Sequence, residues 1–208
     1  MDSPGARVTL ATMSTEHVNL ETGRMAVGAD RFADVGAQFF AAADQARIDL
    51  LPPDGTAHVL ELGCGKGATG ALALRRRRCA VWIGVEANAA LAGEALFALT
   101  DVRVGDVEAL ELDYDEASFD LVIVGDASGF RRPRLILARL AALLAPGGWL
   151  YLAAAGDPLP AWLTPKSVSR MMRRVGLAAI GVTTSGRANR GLFRAPRYAR
   201  LQARGRKL

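Results

Sequence analysis

The feature that most constrains the fold of this chain is the stretch HVLELGCGKGATG, residues 58–70, in which a short apolar run ends at three alternating glycines, Gly63, Gly65 and Gly67. Glycine has no Cβ, so it adopts positive φ readily and lets backbone N–H groups approach a ligand. A strand, a glycine-rich turn and a helix N-terminus, in this order, are typical of parallel sheets that bind a nucleotide-like cofactor at the carboxyl ends of their strands. We therefore expect the functional site at this turn.

The sequence alternates strand and helix patterns on either side of the turn. Short apolar runs predict strands at about 57–62, 81–86, 101–104, 119–125 and 149–155, and helical periodicity predicts helices at about 31–51, 67–77, 88–98, 133–144 and 165–175. A sixth strand is predicted after Gly176, and a seventh at about 198–205 that pairs antiparallel at the sheet edge. The alternation predicts a Rossmann-like, doubly wound α/β fold, with a mostly parallel sheet of six to seven strands and helices on both faces.

The length of the chain predicts one main domain. We assign residues 29–208 to this domain, with its core at 57–185 and a basic edge strand or tail at 194–208, and residues 1–28 to a flexible N-terminal arm or lid. No apolar run approaches the roughly 20 residues that span a bilayer, so we expect a cytoplasmic protein. Two cysteines and two histidines make neither a disulfide framework nor metal-ligand spacing, so no metal is expected.

The net charge of +5 raises the question of a nucleic-acid partner. Much of the excess positive charge lies in the run from Arg75 to Arg78 and in the last fifteen residues, with few aromatic residues between. Such runs are usually solvated helix ends and tails. A nucleic-acid partner is therefore not favoured, although it is not excluded.

Acidic residues lie at or near the ends of three successive predicted strands: Glu61, Glu86 and Asp106. Glu86 follows the glycine turn by about twenty residues, a spacing at which a carboxylate accepts hydrogen bonds from ribose hydroxyls. An acidic rim would repel a pyrophosphate but suits a cationic ligand with an amine at one end and an adenosine at the other. The overlapping pattern Gly65-x-Gly67-x-x-Gly70 keeps an NAD site open as an alternative.

At this point the chain resembles the class I S-adenosylmethionine-dependent methyltransferases, in particular small bacterial types found with glycan and natural-product pathways. The resemblance rests on ELGCGKG, IGVEAN, VGDVEAL, FDLVIVGDA and LLAPGGWLYL in that order. It implies S-adenosylmethionine as cofactor, with the three glycines beside its methionine and ribose and Glu61 at its amine. It also implies Glu86 at the ribose hydroxyls, Asp106 and Val107 beside the adenine, and Asp126 near the methionyl end. The predicted cofactor set includes the neighbouring residues Cys64, Ala87 and Gly105.

Methyl transfer is an in-line displacement, and a base is needed only when the nucleophile must lose a proton. Asp126 is the preferred candidate for that base, and His17 in the N-terminal arm is a weaker one. The loops after the fourth and fifth strands offer Phe130, Arg131 and Trp162 to the acceptor. GDASGF stands where several relatives read GDVLEHL, so the glutamate and histidine that these offer to the substrate are absent here.

The resemblance thus implies a methyltransferase that acts on a small-molecule or glycan-type acceptor. An RNA or protein methyltransferase, an NAD-dependent oxidoreductase and a catalytically silent subunit that binds S-adenosylmethionine remain alternatives. The sequence leaves the oligomeric state open, including a homodimer.

Overall fold

A computed structural model describes residues 44–108, 114–156, 158–185 and 200–208. They lie within one compact unit, Ala43–Leu208. Its strands are β1 (His58–Leu62), β2 (Val81–Glu86), β3 (Asp101–Val104), β4 (Phe119–Val124), β5 (Leu144–Ala155), β6 (Leu177–Ser185) and β7 (Arg200–Lys207). Its helices are α1 (Ala68–Arg75), α2 (Ala89–Ala95), α3 (Pro133–Leu143) and α4 (Pro165–Arg174). The predicted α/β fold is confirmed.

The seven strands form one sheet in the order β3-β2-β1-β4-β5-β7-β6. Strands β1 to β5 run parallel, and β7 pairs antiparallel with both β5 and β6. The strand order reverses between β1 and β4, where Leu62 pairs with Val124 on one side and Val85 on the other. Open α/β sheets bind their ligands outside the carboxyl ends of the strands at such a reversal. The fold therefore places the glycine turn after β1 at the expected binding position.

The antiparallel pairing of β7 is confirmed, but the prediction that this strand lies at the edge of the sheet is wrong. The chain returns after β6 and inserts β7 between β5 and β6, so that Ala203 pairs with both Leu152 and Val182. This position satisfies the backbone hydrogen bonds of β7 on both sides and leaves β6 at the edge.

The remaining described boundaries lie close to those predicted, including the end of α2 at Ala95, with one larger difference at the start of β5. Strand β5 begins at Leu144, five residues early, because Leu144 pairs with Phe119 before a register shift brings Trp149 opposite Leu121. Helix α1 ends at Arg75. Of the helix predicted at 31–51, residues 44–48 are helical and residues 31–43 lie outside the described part of the chain, as does the proposed arm.

The two faces of the sheet pack against different elements because side chains alternate along each strand. On one face, Leu60 and Leu62 join a core that α3 and α4 cover. On the other face, Val59 and Trp82 pack with Ile48 of the N-terminal helical residues and with Ala73 of α1. Sheets buried on both faces require nearly continuous apolar strands such as FDLVIV.

Part of the basic C-terminal segment belongs to this sheet. The guanidinium groups of Arg204 and Arg206 lie 5.9 and 6.0 Å from the ring centre of Trp149. Nε of Arg206 also donates to the carbonyl of Gly147 at 2.9 Å. The positive charge that the sequence concentrates here is thus partly used in packing β7 against β5. Within the described ranges, no helix combines the length and the apolar character needed to cross a membrane.

Candidate functional site

The glycine turn joins β1 to α1 and has the backbone conformation that glycine favours. Gly63, Gly65 and Gly67 have φ of 73°, 55° and 77°. A Cβ at Gly63 or Gly65 would meet no atom of the protein within 4 Å, whereas a Cβ at Gly67 would lie 2.9 Å from Leu99. Gly67 thus allows close packing inside the protein. Gly63 and Gly65 instead leave bare backbone facing open space, as binding of a ligand there requires.

Glu86, at the end of β2, ties the glycine turn to the next loop. Its Oε2 accepts a hydrogen bond from the N–H of Gly65 at 2.9 Å, and its Oε1 accepts one from the N–H of Asn88 at 2.9 Å. The N-cap of α2 is Asn88 itself, whose side chain accepts from the N–H of Ala90. A carboxylate offers about four acceptor positions, so Glu86 keeps capacity for ribose hydroxyls while it holds the turn.

Glu61 does not lie on the open rim, and that part of the prediction is wrong. The residue is only 3% exposed, because it lies inside β1 and its side chain points toward a covered face of the sheet. Its Oε2 accepts from the indole N–H of Trp82 at 3.0 Å, and its Oε1 lies 3.6 Å from the guanidinium of Arg47. The contact with a ligand amine stays a prediction, because the buried carboxylate keeps acceptor positions beyond these two contacts.

Arg47 belongs to a largely buried polar cluster that was not predicted from the sequence. Its Nη1 lies 3.3 Å from both Asp44 and the hydroxyl of Thr69, and its guanidinium lies 5.2 Å from the ring centre of Tyr151. Burial raises the pKa of Glu61 to about 7, and the charge of Arg47 and the bond from Trp82 oppose that rise. The cluster connects the N-terminal helical residues to β1 and α1 beneath the glycine turn.

Cys64 lies in the turn, but its thiol is not a nucleophile at neutral pH. Burial raises its pKa to about 12, and the nearby carboxylates of Glu61 and Glu86 add to the rise. The thiolate is the reactive form of cysteine, so this side chain acts in packing.

The loop after β3 lies next to Glu86. The N–H of Gly105 donates to the carbonyl of Glu86 at 3.0 Å, and Oδ1 of Asp106 accepts from the N–H of Glu108 at 2.9 Å. Val107 is half-buried against the core, and Ala87 is exposed in the loop after β2. The structure thus brings the predicted ribose-side and adenine-side residues together at neighbouring strand ends.

The end of β4 approaches the glycine turn closely through Gly125. Its N–H donates to the carbonyl of Leu62 at 2.8 Å, and a Cβ at this position would lie 2.8 Å from the carbonyl oxygen of Gly63. Only glycine permits this approach without a shift, and it places Asp126 beside the turn. Asp126 is exposed, and its two carboxylate oxygens accept from the N–H and the hydroxyl of Ser128, each at 2.9 Å.

The predicted acceptor residues Phe130 and Trp162 come together from the loops after β4 and β5. Their rings are nearly parallel, with centres 6.4 Å apart and planes 2° from parallel. The buried Nε1 of Trp162 has no hydrogen-bond partner among the described residues. These two side chains therefore form one half-buried aromatic surface at the carboxyl ends of β4 and β5, packed partly against the core.

Arg131, the third predicted acceptor residue, contacts carboxylates of the protein. Its Nε lies 3.2 Å from Glu108, and its Nη2 lies 4.0 Å from Asp106. The side chain is 80% exposed, so these contacts hold it weakly, but they reduce its attraction for an anionic acceptor. His17 lies outside the described residues. The described ranges also contain no group of histidine, cysteine and acidic side chains that could hold a metal ion.

Three residues of the site region escaped the sequence analysis: Arg47, Glu108 and Gly125. The sequence could have indicated Gly125, because a glycine directly after a buried apolar strand often marks a close approach of two backbones. A buried acid requires a partner, but the sequence does not indicate which of the 26 lysine and arginine residues supplies it. Glu108 resembles an ordinary surface acid until its distant partners are known.

Comparison with known proteins points in one direction. Residues 59–148 match the family model described as a methyltransferase domain. Uncharacterized methyltransferases of Mycobacterium tuberculosis and Mycobacterium bovis are 30% identical over 114 residues, which cover 54% of this chain and 58% of each relative. The chain thus spans little more than half the length of these relatives.

Solved structures share the fold at low sequence identity. A methyltransferase dependent on S-adenosylmethionine from Archaeoglobus fulgidus aligns with a TM-score of 0.64 at 12% identity, over 82% of this chain and 94% of that one. The geranyl diphosphate C-methyltransferase of Streptomyces coelicolor, solved with S-adenosyl-L-homocysteine, aligns with a TM-score of 0.65 at 13% identity, over 83% of this chain and 80% of that one. These likenesses support the fold.

Proposed function

We propose that this chain, in which residues 59–148 match a methyltransferase domain model, is a class I S-adenosylmethionine-dependent methyltransferase and transfers a methyl group to a small-molecule or glycan-type acceptor. The observation that carries the proposal is the bare turn after β1. Gly63 and Gly65 hold positive φ with no protein atom within 4 Å of a built Cβ, beside a carboxylate at the end of β2. A turn of this kind leaves room for a ligand that carries both a nucleoside and an amino-acid part.

The residues of the site suit this cofactor chemically. We assign the ribose hydroxyls to Glu86 and the adenine to the loop of Gly105, Asp106 and Val107, because these groups meet at adjoining strand ends. Carboxylates here disfavour a pyrophosphate and favour a cationic ligand. When bound, S-adenosylmethionine supplies an activated methyl group to a nucleophile aligned with its sulfur.

Asp126 is our candidate for the group that contacts the methionyl end or accepts a proton from the acceptor. It directly follows Gly125, whose backbone closely approaches the carbonyl of Gly63 in the glycine turn. Ser128 orients its carboxylate through two hydrogen bonds, which leaves further acceptor positions on both oxygens. An acceptor that is already a free amine would need no such base.

The acceptor itself is assigned to the surface formed by Phe130 and Trp162. Aromatic faces at the carboxyl ends of β4 and β5 bind apolar or ring-shaped molecules and exclude water from the reacting atoms. We disfavour an RNA substrate because Arg204 and Arg206, part of the basic segment that suggested one, pack on Trp149 within the sheet.

Methyl transfer is tested with isotope-labelled S-adenosylmethionine and a panel of small amines, phenols, thiols, hydroxylated sugars and one structured RNA. We expect label in a small-molecule or sugar product, and none with the Gly65→Val variant, whose side chain would fill the open turn. Binding of the cofactor without turnover over the whole panel would favour the silent subunit. Label in RNA alone would contradict the proposed acceptor class.

A further inference from the structure

We propose that Glu108 is a positioning residue that links two loops of the site, so that the nucleoside end of the cofactor controls the aromatic surface for the acceptor. The two loops are the adenine-side loop, residues 105–108 after β3, and the acceptor-side loop, residues 126–132 after β4. The inference deepens the proposed function and rests on it for the identity of the ligand. No role for Glu108 follows from the motifs of the sequence.

Glu108 holds the acceptor-side loop through three contacts. Its Oε1 accepts hydrogen bonds from the backbone N–H groups of Arg131 and Arg132, each at 2.8 Å. Its Oε2 accepts from Nε of Arg131 at 3.2 Å. The Glu108 side chain is only 9% exposed, although its partners lie 23 and 24 residues further along the chain. Since the guanidinium is mostly exposed, the two backbone bonds carry most of the link.

The acceptor-side loop leads into the start of α3, which explains why the carboxylate of Glu108 contacts this loop. Arg132 is the N-cap of α3, its side chain makes no capping bond, and Pro133 is the first helical residue. The first N–H groups of a helix need acceptors and favour negative charge. Glu108 supplies the acceptor oxygens and the negative charge from another loop. Its pKa is lowered chiefly by the hydrogen bond from the N–H of Arg132. The start of α3 is therefore fixed to the adenine-side loop.

The link extends in both directions from Glu108. Toward the cofactor, the N–H of Glu108 donates to Oδ1 of Asp106 at 2.9 Å, and Asp106 lies in the predicted adenine site. Toward the acceptor, Phe130 directly precedes Arg131, and its ring stacks on Trp162. A displacement of the adenine-side loop is thus passed through the two backbone bonds to the residue that carries the aromatic surface.

Fluorotryptophan labelling with fluorine NMR tests this link without knowledge of the acceptor. The chain has three tryptophans, so the spectrum has three signals, and the Trp162→Phe variant identifies that of Trp162. In the Glu108→Ala protein we expect the signal of Trp162 alone to move before any ligand is added. S-adenosylhomocysteine should move this signal in the native protein and no longer move it in the variant. Glu116→Ala, which removes an exposed carboxylate, is the matched control and should give the native spectrum.

A conservative variant keeps the test decisive. Glu108→Gln retains one acceptor oxygen for the two backbone N–H groups but loses its charge, so it should move the Trp162 signal less than Glu108→Ala does. If the alanine variant is unfolded and all three signals collapse, the glutamine variant decides: movement of the Trp162 signal alone supports the link. An unchanged Trp162 signal in the folded variants would overturn it.

Failure of the proposed function gives a different result. A native protein that shows no heat with S-adenosylhomocysteine in calorimetry would contradict the cofactor assignment, whatever the Trp162 signal does in the unliganded variants. A native protein that binds this ligand, with a Trp162 signal that responds equally in the native and Glu108→Ala proteins, would contradict the link alone.

Discussion

Replacing Gly65 by alanine separates the two properties that we assign to the glycine turn, its backbone conformation and its open surface. The φ of Gly65 is 55°, in the left-handed region, where a residue with a Cβ costs about 1–2 kcal/mol. No protein atom lies within 4 Å of the added methyl group, so the unliganded protein has no steric penalty. For a chain of this size, we therefore expect the melting temperature to fall by about 2–8 °C.

The same methyl group would occupy space that we assign to the cofactor. Overpacking a close contact costs about 1–3 kcal/mol, which weakens the affinity for S-adenosylhomocysteine by about 5- to 150-fold. Gly176→Ala is the matched control, because Gly176 has φ of 82°, has no atom within 4 Å of a built Cβ, and follows α4 at a position that we do not assign to the site. It should lose similar stability and keep native affinity. Calorimetry and thermal melts on both variants measure the two effects, and equal affinity of both variants for S-adenosylhomocysteine would contradict the assignment of the cofactor to this turn.

Three further predictions concern the charged and reactive groups of the site. Glu86→Ala should weaken binding of S-adenosylhomocysteine by about 1–3 kcal/mol in calorimetry, because charge-assisted hydrogen bonds are lost. Native affinity in this variant would mean that Glu86 only holds the loops. Because the pKa of Glu61 is raised to about 7, its contribution to folding stability is complete below pH 4.5 and is lost as pH rises through about 7. Urea unfolding should therefore show that the native protein loses about 3 kcal/mol of stability over this window relative to Glu61→Gln. A difference between the two proteins that stays constant with pH would contradict the raised pKa. The pKa values of Cys64 and Cys79, raised by burial to about 12 and 11, predict that a thiol reagent at pH 8 labels both cysteines only after unfolding; rapid labelling of the folded protein would contradict the burial.

The sequence predicted the order of elements well, because hydrophobic periodicity and glycine turns are local signals. It could not predict that β7 lies between β5 and β6, since the position of a strand in a sheet depends on partners distant in the sequence. Its short alternation in a basic segment gave no sign of a central position, and its alternate residues Arg200, Arg204 and Arg206 are exposed. Two of these side chains instead cover an aromatic ring on the face of the sheet.

The burial of Glu61, which contradicts its predicted place on an open rim, has a reason that the sequence already contained. Leu60 and Leu62 point to one face of β1, so Glu61 must point to the other, and both faces of this sheet are covered. Its partner Arg47 could not be identified, because 14 residues and a change of element separate the two. Glu86 was placed correctly at the end of β2, where spacing from the glycine turn is set by one helix and one strand.

Isothermal titration calorimetry with two ligands shows whether the open turn after β1 binds an adenosyl cofactor with an amino-acid tail. S-adenosylhomocysteine should bind the native protein with measurable heat, while NADH should give none under the same conditions. Tight binding of NADH together with no heat from S-adenosylhomocysteine or S-adenosylmethionine would contradict binding of an adenosyl cofactor at this turn.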